Sequence, residues 1–263
     1  MDETEIRRQL PFIRQVYQFE ELDSTNDYAK SLVKKAQMEA AENIHFPALI
    51  LAIKQTKGRG RRGKSWYSSE DSLTFSIIWE TSTLPAGKIP FALKSGLWLA
   101  EEFNRLGSKD YCQVKWPNDV MAAEKKISGL LVEQVMQKES FTILGCGINV
   151  NNSFSGELGH IDRTSLSEQL GHQFDKTEVL IRVCQSWMAG LQFENNASLQ
   201  EFHTRFEQLD FLVGRWLVVQ VGDSKVQGRY AGLGPNGEIQ LKDDGKMRII
   251  SNGSILNFGP AMT

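Results

Sequence analysis

The positive charge of this chain is concentrated in one short glycine-rich segment. Residues 57–64 read KGRGRRGK and hold five cations and three glycines. Glycine lets the backbone approach a ligand closely, and the cations repel one another until an anion neutralises them. We therefore expect a loop that binds an anion and becomes ordered when it does so. Taken alone, a solvated basic loop that contacts RNA or DNA phosphates explains the segment equally well.

Two phosphate-binding signatures overlap in this segment. Gly58–Ser65 reads GRGRRGKS, which satisfies both GxGxxG and GxxxxGK[ST]. Both motifs place phosphates against the amide groups that open a helix, so each requires a helix directly after the loop. The following residues, WYSSEDSLTFSIIW, combine serine-rich turn residues with a strand pattern. We reject both signatures, and with them Glu80 as a ribose-binding acid, because a strand separates that residue from the glycines.

A second group of polar residues lies at predicted strands. Val114–Val120 reads VKWPNDV, a strand that ends in a Pro-Asn-Asp turn. Asn118 can offer an amide to a base or ribose, and Asp119 can offer a carboxylate to Mg²⁺ or another cation. Lys125–Glu133 (KKISGLLVE) and Gly145–Asn149 (GCGIN) each combine a strand with glycine, which permits close backbone approach. A lysine directly before such a strand can place its ammonium group in a cleft.

Alternating strand and helix patterns position these segments through the first four fifths of the chain. Strands are predicted at Gln15–Leu22, Ala48–Ile53, Leu73–Trp79, Tyr111–Lys115 and Phe141–Asn149, with a hairpin that joins Val120 and Met121 to Ile127–Gln137 around Ala123 and Glu124. Helices are predicted after the N-cap candidates Ser24 and Thr25 to about Glu42, and at Ile89–Leu106, Ser165–Leu170, Lys176–Gln192 and Ser198–Leu209. Lys54–Asp71 is a predicted loop.

The pattern changes after Gly214. Short runs that read WLVVQV, KVQGRYAGL, GEIQLK and KMRIIS are separated by the turn signals GD, GPNG and DDG. They predict a small all-β module of about 50 residues, which would be marginal alone and is expected to pack on the larger unit. We place the domain boundary between residues 1–210 and residues 211–263.

Composition excludes several classes of protein. The 263 residues carry 30 lysines and arginines against 32 aspartates and glutamates, so no field of the whole chain attracts nucleic acid or anionic lipid. Cys112, Cys146 and Cys184 form no CxxC pair, and we interpret them as buried thiols of a reducing compartment. No signal peptide and no apolar run of about 18 residues is found, so we predict a cytoplasmic protein without a membrane span. The histidines lack metal-ligand spacing, and no metal site built by the protein alone is predicted.

Five segments together resemble the ordered motif set of the biotin protein ligases, also called biotin–[carboxyl-carrier-protein] ligases. The segments are Ser24–Asn26 (STN), Gln55–Trp66 (QTKGRGRRGKSW), Lys115–Asp119 (KWPND), Lys126–Gly129 (KISG) and Gly145–Asn149 (GCGIN). The combination of GRGRRG with KWPND is more specific than either motif alone, and the resemblance runs from about residue 16 to the C-terminus. It implies an α+β fold, with a mixed β-sheet catalytic domain flanked by helices, as in class II synthetases, and a small C-terminal SH3-like β-barrel.

The resemblance also implies roles for individual residues. The residues implied to hydrogen-bond the biotin head group are Ser24, Thr25, Asn26 and Gln55. The residues implied in the loop that closes over biotin and the adenylate are Gly58, Arg59, Gly60 and Arg61. Lys126 would contact the biotin carboxylate and the α-phosphate, so that Lys126, Arg59 and Arg61 form the catalytic set. The nucleotide side would be formed by Trp66, Asn118, Asp119 and Asn149, and the site would be completed by Gly129 and Gly147.

The implied enzyme is a biotin–[acetyl-CoA-carboxylase] ligase that catalyses two half-reactions. The biotin carboxylate attacks the α-phosphate of ATP to give biotinyl-5′-AMP and pyrophosphate, and a lysine of a biotin carboxyl carrier protein or an equivalent acceptor domain then takes the acyl group. At about 4 Å and an effective dielectric of about 20, two like unit charges repel by about 4 kcal/mol. Arg59, Arg61 and Lys126, together with Mg²⁺, would offset this repulsion without a protein nucleophile.

Two other functions are compatible with the sequence. A lipoate or octanoate ligase or transferase would share the core, but its substrates lack the ureido ring that the polar residues at 24–26 and 55 favour. A nucleic-acid-binding protein without enzymatic activity would use residues 57–64, with the β module as a second contact. We expect no DNA binding, because 23 residues precede Ser24 whereas a DNA-binding domain needs about 60. Either a monomer or a homodimer is expected.

Overall fold

The larger part of the chain forms a seven-stranded mixed sheet. This computed structural model describes residues 1–38, 43–107, 111–154, 162–194 and 199–260. The strands are β1 (Gln15–Leu22), β2 (Ala48–Gln55), β3 (Ser72–Glu80), β4 (Cys112–Lys115), β5 (Asp119–Ala122), β6 (Lys125–Met136) and β7 (Ser140–Asn149). Their order is β1-β2-β3-β7-β6-β5-β4, with β1 parallel to β2 and the other neighbours antiparallel. The strands that carry the KISG and GCGIN segments are therefore direct neighbours.

Helices cover both faces of this sheet, which explains why its central strands β3 and β7 are almost entirely buried. The helices are α1 (Glu3–Gln9), α2 (Thr25–Ala36), α3 (Phe91–Leu106), α4 (Leu166–Leu170), α5 (Lys176–Glu194) and α6 (Leu199–Gln208). Ile50 of β2 belongs to the hydrophobic cluster that includes α2. Leu49 and Leu51 point to the other face and join the cluster of α3 and α5. The sheet is thus packed on both sides.

The C-terminal part forms a second, antiparallel sheet. Its strands are β8 (Trp216–Val221), β9 (Ser224–Leu233), β10 (Ile239–Asp243), β11 (Lys246–Ile250) and β12 (Ser254–Phe258), in the order β11-β10-β9-β8-β12. Leu217, Val219 and Ile239 belong to the same hydrophobic cluster as α3 and α5, so the two sheets share one core. The mixed α+β fold is confirmed, although the described pairings leave β11 and β12 as end strands and do not close the sheet into a barrel.

Hydrogen bonds join β4 to the segment before β8, and join the residue that follows β4 to the second sheet. Val114 of β4 donates to the carbonyl of Leu209 at 2.7 Å and accepts from Phe211 at 3.0 Å. Trp116 Nε1 donates to the carbonyl of Gly237, in the turn between β9 and β10, at 3.0 Å. The tryptophan of KWPND is therefore a packing residue that joins the sheets.

The predicted elements are confirmed except at particular ends. The helix expected to reach Glu42 ends at Ala36, and residues 39–42 of that prediction lie outside the described residues. The predicted hairpin around Ala123 and Glu124 is confirmed, with left-handed φ values of 48° and 64° at the two turn residues. Sequence patterns missed α1, although Asp2 caps it by accepting from the amide of Glu5.

Three smaller predictions have a structural outcome. The strand expected from Tyr111 begins at Cys112, whose backbone exchanges hydrogen bonds with the Asn104 side chain. Ser198, the expected start of the last helix, lies outside the described residues. The three cysteines are free and buried, as predicted. No helix in the described part of the chain is long and apolar enough to cross a membrane.

Candidate active site

A cleft of about 380 Å³ opens where β5, β6 and β7 face the basic loop, residues 57–64. Asp119, Gly129 and Gly147 are register partners across the three strands, so their backbones lie in one row. Every predicted site residue except Gly58 lines this cleft. Gly58 instead closes the base of the loop, because its carbonyl accepts from the Trp66 amide at 2.8 Å.

Glycines in β7 allow two side chains to rest directly on the strand backbone. A Cβ atom at Gly145 would lie 2.2 Å from Asn26 Oδ1, and one at Gly147 would lie 2.3 Å from the Trp66 ring. Neither distance is possible for a real Cβ contact, so glycine is required at both positions. Trp66 Nε1 is buried and has no hydrogen-bond partner among the described residues. The indole is therefore a donor without an acceptor next to the floor of the cleft.

One side of the cleft, which we call the polar wall, consists of Ser24, Thr25, Asn26 and Gln55. Ser24 caps α2 by accepting from the amide of Asp27. Gln55 Oε1 accepts from the Thr25 amide at 2.8 Å and from its hydroxyl at 3.2 Å. Ser24, Thr25 and Asn26 are at most 4% exposed. Hydrogen bonds to neighbouring groups therefore fix the direction of these donors and acceptors before a ligand binds.

The amide of Asn26 is oriented from both ends. Its Oδ1 lies 2.6 Å from Ser76 Oγ, whose hydroxyl can donate to it. Its Nδ2 donates to Glu133 Oε2 at 2.9 Å and to the Leu131 carbonyl at 3.3 Å. Asn26 therefore presents one defined face to the cleft.

The opposite side, which we call the charged wall, consists of Asn118, Asp119 and Lys126. Lys126 Nζ lies 2.6 Å from Asp119 Oδ1, and the two side chains are 30% and 22% exposed. Asn118 Nδ2 donates to the Leu130 carbonyl at 2.6 Å. The lysine ammonium lies 5.5 Å from the centre of the Trp66 ring. A cation, a carboxylate and an amide thus face the cleft at one strand end.

The basic loop folds back on itself and contacts the second sheet. A 3₁₀ turn covers Arg61–Gly63, and the Gly60 amide donates to the Lys64 carbonyl at 2.6 Å. Arg61 donates to Asn118 Oδ1 at 3.4 Å and to Asn252 Oδ1 at 3.1 Å. Burial lowers the pKa of the Arg61 guanidinium from its ordinary value, although it stays protonated at neutral pH. The loop therefore spans from the charged wall to the C-terminal sheet.

Arg62 adds contacts to the second sheet. Its guanidinium donates to Asn252 Oδ1 at 3.3 Å, to Ser254 Oγ at 3.2 Å and to the Gln220 carbonyl at 3.3 Å. Its own φ is 54°, in the left-handed region. The C-terminal contacts of the loop had no clear signal in the sequence, because Asn252 and Ser254 lie about 190 residues away.

Arg59 faces the cleft but its charge is already paired. Its Nη2 lies 2.6 Å from Asp27 Oδ1 and 3.0 Å from Glu133 Oε2. Lys30 also contacts Glu133, at 2.5 Å. Two cations and two carboxylates thus balance at the outer end of the polar wall.

Sequence reasoning missed several residues that line the cleft. Asp162 and Arg163 follow a poorly patterned segment, yet the Asp162 carbonyl accepts from the Lys126 amide at 2.8 Å. Lys115 of KWPND points at the Phe258 ring, 4.5 Å from its centre, and burial lowers its pKa. The aromatic partner comes from β12, so the pairing could not be read from local sequence.

Asn149 is placed differently from the other predicted polar residues. It is 2% exposed, and its Nδ2 donates to the carbonyls of Lys126 and Thr164 at 3.3 and 2.9 Å. It lines the cleft and also holds the strand that carries Lys126. Its assignment to the nucleotide side stays a prediction.

The loop does not adopt the structure of either rejected phosphate-binding motif. The chain after Ser65 reaches β3 without a helix, so no helix N-terminus faces the glycines. Within the described ranges, no group of three or more His, Cys, Asp or Glu side chains could hold a metal ion. Anion binding at this loop therefore does not use a helix N-terminus, and the cationic side chains of residues 57–64 are its charged donors.

The chain is similar to named proteins and solved structures over most of its length. The bifunctional ligase/repressor BirA of Escherichia coli is 27% identical over 237 residues, which cover 89% of this chain and 71% of that protein. The biotin–[acetyl-CoA-carboxylase] ligase of Paracoccus denitrificans is 25% identical over 243 residues, covering 87% and 94%. The structure of an Aquifex aeolicus biotin protein ligase in complex with biotin and ATP aligns with a TM-score of 0.75 and 28% identity, covering 94% of this chain and 99% of that one.

The family assignment comes from a match over the larger sheet. A sequence model described as the Biotin/lipoate A/B protein ligase family matches residues 19–151, which run from β1 to the end of β7. That range includes the polar wall, the basic loop and the charged wall. The chain therefore belongs to the biotin/lipoate A/B protein ligase family.

Proposed function

We propose that the chain is an ATP-dependent biotin protein ligase that forms biotinyl-5′-AMP and transfers biotin to a lysine of an acceptor domain. The observation that carries this proposal is one cleft with a neutral polar wall at one side and a lysine–aspartate pair at the other. The named relatives and the solved complex with biotin and ATP support the same activity.

The polar wall suits the head group of biotin. A ureido ring has a carbonyl acceptor and N–H donors, and the wall offers both kinds of partner in fixed directions. Ser24, Thr25 and Asn26 are held by hydrogen bonds before any ligand enters, so binding costs little ordering of side chains. Lipoate and octanoate have no comparable polar head, and a buried polar wall would be left unpaired beside them.

The charged wall suits the first half-reaction. The carboxylate of biotin must approach the α-phosphate of ATP, and both are anions. Lys126, when it exchanges Asp119 for the incoming anions, can bind both reactants and stabilise the charge that develops between them. Arg61 reaches the same region from the loop through Asn118. No side chain needs to form a covalent intermediate.

We include Mg²⁺ in the proposal as a partner of the nucleotide. Magnesium is commonly held by one or two carboxylates together with substrate phosphates. Asp119, with the Asn118 amide next to it, fits that donor set. The ion would neutralise phosphate charge in the bound nucleotide, and Asp119 would be freed for it when Lys126 turns to the phosphate.

The second half-reaction requires that the mixed anhydride survives until the acceptor lysine arrives. The basic loop lies across the cleft from the charged wall to the second sheet, and it can exclude water from the adenylate. We propose that the acceptor is the biotin carboxyl carrier domain of a carboxylase, that catalysis occurs in the cytoplasm, and that residues 1–210 and 211–263 form the two domains.

The proposed function is tested by incubating the full chain with ATP, Mg²⁺, biotin and a biotin carboxyl carrier domain, followed by intact mass spectrometry. One added biotin on the acceptor is expected, and none when ATP is omitted or the acceptor lysine is replaced by arginine. Parallel reactions with lipoate and octanoate test the other substrates. Transfer of either acid in preference to biotin, or no transfer at all, would refute the assignment.

A further inference from the structure

One carboxylate outside the catalytic set joins the polar wall to the basic loop. Glu133 lies on β6, with its side chain 22% exposed. Its Oε2 accepts from Asn26 Nδ2 at 2.9 Å and from Arg59 Nη2 at 3.0 Å, and its Oε1 accepts from Lys30 Nζ at 2.5 Å. Burial opposes ionisation, but hydrogen bonds from Lys30 and Asn26 outweigh it and hold the pKa of Glu133 below its ordinary value. The carboxylate is therefore charged at neutral pH.

The contact between Glu133 and Asn26 fixes the orientation of the Asn26 side-chain amide. Because its nitrogen faces an ionised carboxylate, the amide cannot turn round without placing its oxygen against that negative charge. Ser76 holds the oxygen from the other side at 2.6 Å. Glu133 thus helps to fix the hydrogen-bonding face of Asn26 above Gly145.

The contact with Arg59 anchors the start of the basic loop. Arg59 also pairs with Asp27, and its backbone forms a bridge with Ser65 on the returning side of the loop. Movement of Arg59 therefore also moves Ser65, so both sides of the basic loop shift together. No described contact of Glu133 involves the charged wall, so the carboxylate acts on loop position and not directly on the reacting atoms.

We propose that Glu133 is a positioning residue that couples occupancy of the polar wall to closure of the basic loop. Asn26 and Arg59 both contact Oε2 of Glu133. A ligand that binds Asn26 therefore acts on that oxygen, and the contacts of Glu133 with Asn26 and with Arg59 change together. Coupling of this kind is reciprocal, and loss of the carboxylate must weaken ligand binding and loosen the loop in parallel. This inference rests on the proposed function, because it requires biotin at the polar wall.

The test compares Glu133→Gln with the matched control Glu139→Gln in the full chain. Glu139 is an exposed residue in the connection between β6 and β7, and no contact of its side chain is described. Biotin affinity is measured by calorimetry, and loop closure by the rate of tryptic cleavage within residues 57–64 at saturating biotin. For Glu133→Gln we expect biotin to bind about tenfold more weakly and the loop to be cleaved about tenfold faster, with Glu139→Gln unchanged.

Glu133→Asp serves as the charge-retaining variant, and as the folded alternative if Glu133→Gln does not fold. In either variant, weaker binding and faster cleavage must appear together, and the aspartate is expected to shift both less than the glutamine. A change in only one of the two measurements, or in neither, would overturn the inference. Failure of the parent chain to bind biotin would instead refute the proposed function, so the two failures are distinguishable.

Discussion

The two walls of the cleft hold their polar groups in opposite ways. In the polar wall, Thr25 and Asn26 are at most 4% exposed and are fixed by neighbouring side chains. In the charged wall, Lys126 and Asp119 are 30% and 22% exposed and neutralise each other at 2.6 Å. The polar wall is oriented before a ligand enters, whereas the charged wall must exchange one partner for another.

This difference separates recognition from activation. Hydrogen bonds fixed in advance lower the ordering cost of binding and favour a ligand of matching shape. A lysine left without a counter-charge in a half-buried cleft would be costly, so Asp119 holds it until an anion arrives. Different elements carry the two walls: the polar wall lies at the start of α2 and the end of β2, and the charged wall lies on β5, β6 and the turn before β5. Each wall can therefore be disrupted without removing the other.

The largest effect is expected from Lys126→Met in the charged wall. The variant loses the cation that offsets repulsion between the two anionic reactants, so ATP–pyrophosphate exchange with biotin should fall about 10³-fold or more. Biotin amide, which has no carboxylate, should still bind in calorimetry. Lys125→Met, at the exposed neighbouring position, is the control. Exchange close to that of the parent in a folded Lys126→Met variant would remove this lysine from the mechanism.

The next largest effect is expected from Gly145→Ala in β7, beneath Asn26 of the polar wall. The added methyl group would lie 2.2 Å from Asn26 Oδ1, so the asparagine must leave its position. Affinity for biotin should fall about thirtyfold, and binding of an ATP analogue should change little. Gly96→Ala is the control, because its Cβ would make ordinary contacts at 3.5 Å. Equal losses for both ligands would show that the walls do not act separately.

A smaller effect is expected from Arg61→Gly, which removes the loop contact with Asn118. The adenylate should still form, because Lys126 is intact, but it should dissociate about tenfold faster in a stopped reaction without acceptor. Arg62→Gly is the matched comparison, since Arg62 touches the second sheet but not Asn118. Dissociation rates equal to the parent in Arg61→Gly would contradict a role of this arginine in retaining the adenylate.

Much of the larger sheet could be predicted because its signals are local. The alternation in Gln15–Leu22 and the apolar run after Ala48 correspond to β1 and β2. The end of α2 at Ala36 could not be predicted, because the helical pattern continues beyond it. The short helix α1 was missed since seven residues give too little periodicity, and Ile6 is its only buried residue.

Sequence reasoning named the site residues that lie within a single motif. It missed contacts between segments that are far apart in the sequence. The cleft brings together the STN, KWPND and KISG segments, as the resemblance implied. Sequence reasoning did not find that Arg59 is paired with Asp27 and Glu133, because such a contact depends on how α2 and β6 pack. It also missed Phe258 beside Lys115, since β12 approaches only through the folding of the second sheet.

The smallest effect expected is a difference in salt dependence between the two walls. Raising NaCl from about 50 mM to about 500 mM shortens the Debye length from about 14 Å to about 4 Å, which weakens attraction between the partly exposed Lys126 and nucleotide phosphates. The KM for ATP should rise about threefold, while the dissociation constant of biotin amide should change less than about twofold, because the groups it meets are neutral and buried. Both constants are measured at a fixed ratio of Mg²⁺ to ATP, with Lys126→Met as the variant that should lose most of the salt dependence of ATP binding. An equal response of the two ligands to salt would mean that charge also governs the polar wall, through the ion pairs of Arg59 and Glu133 at its outer end.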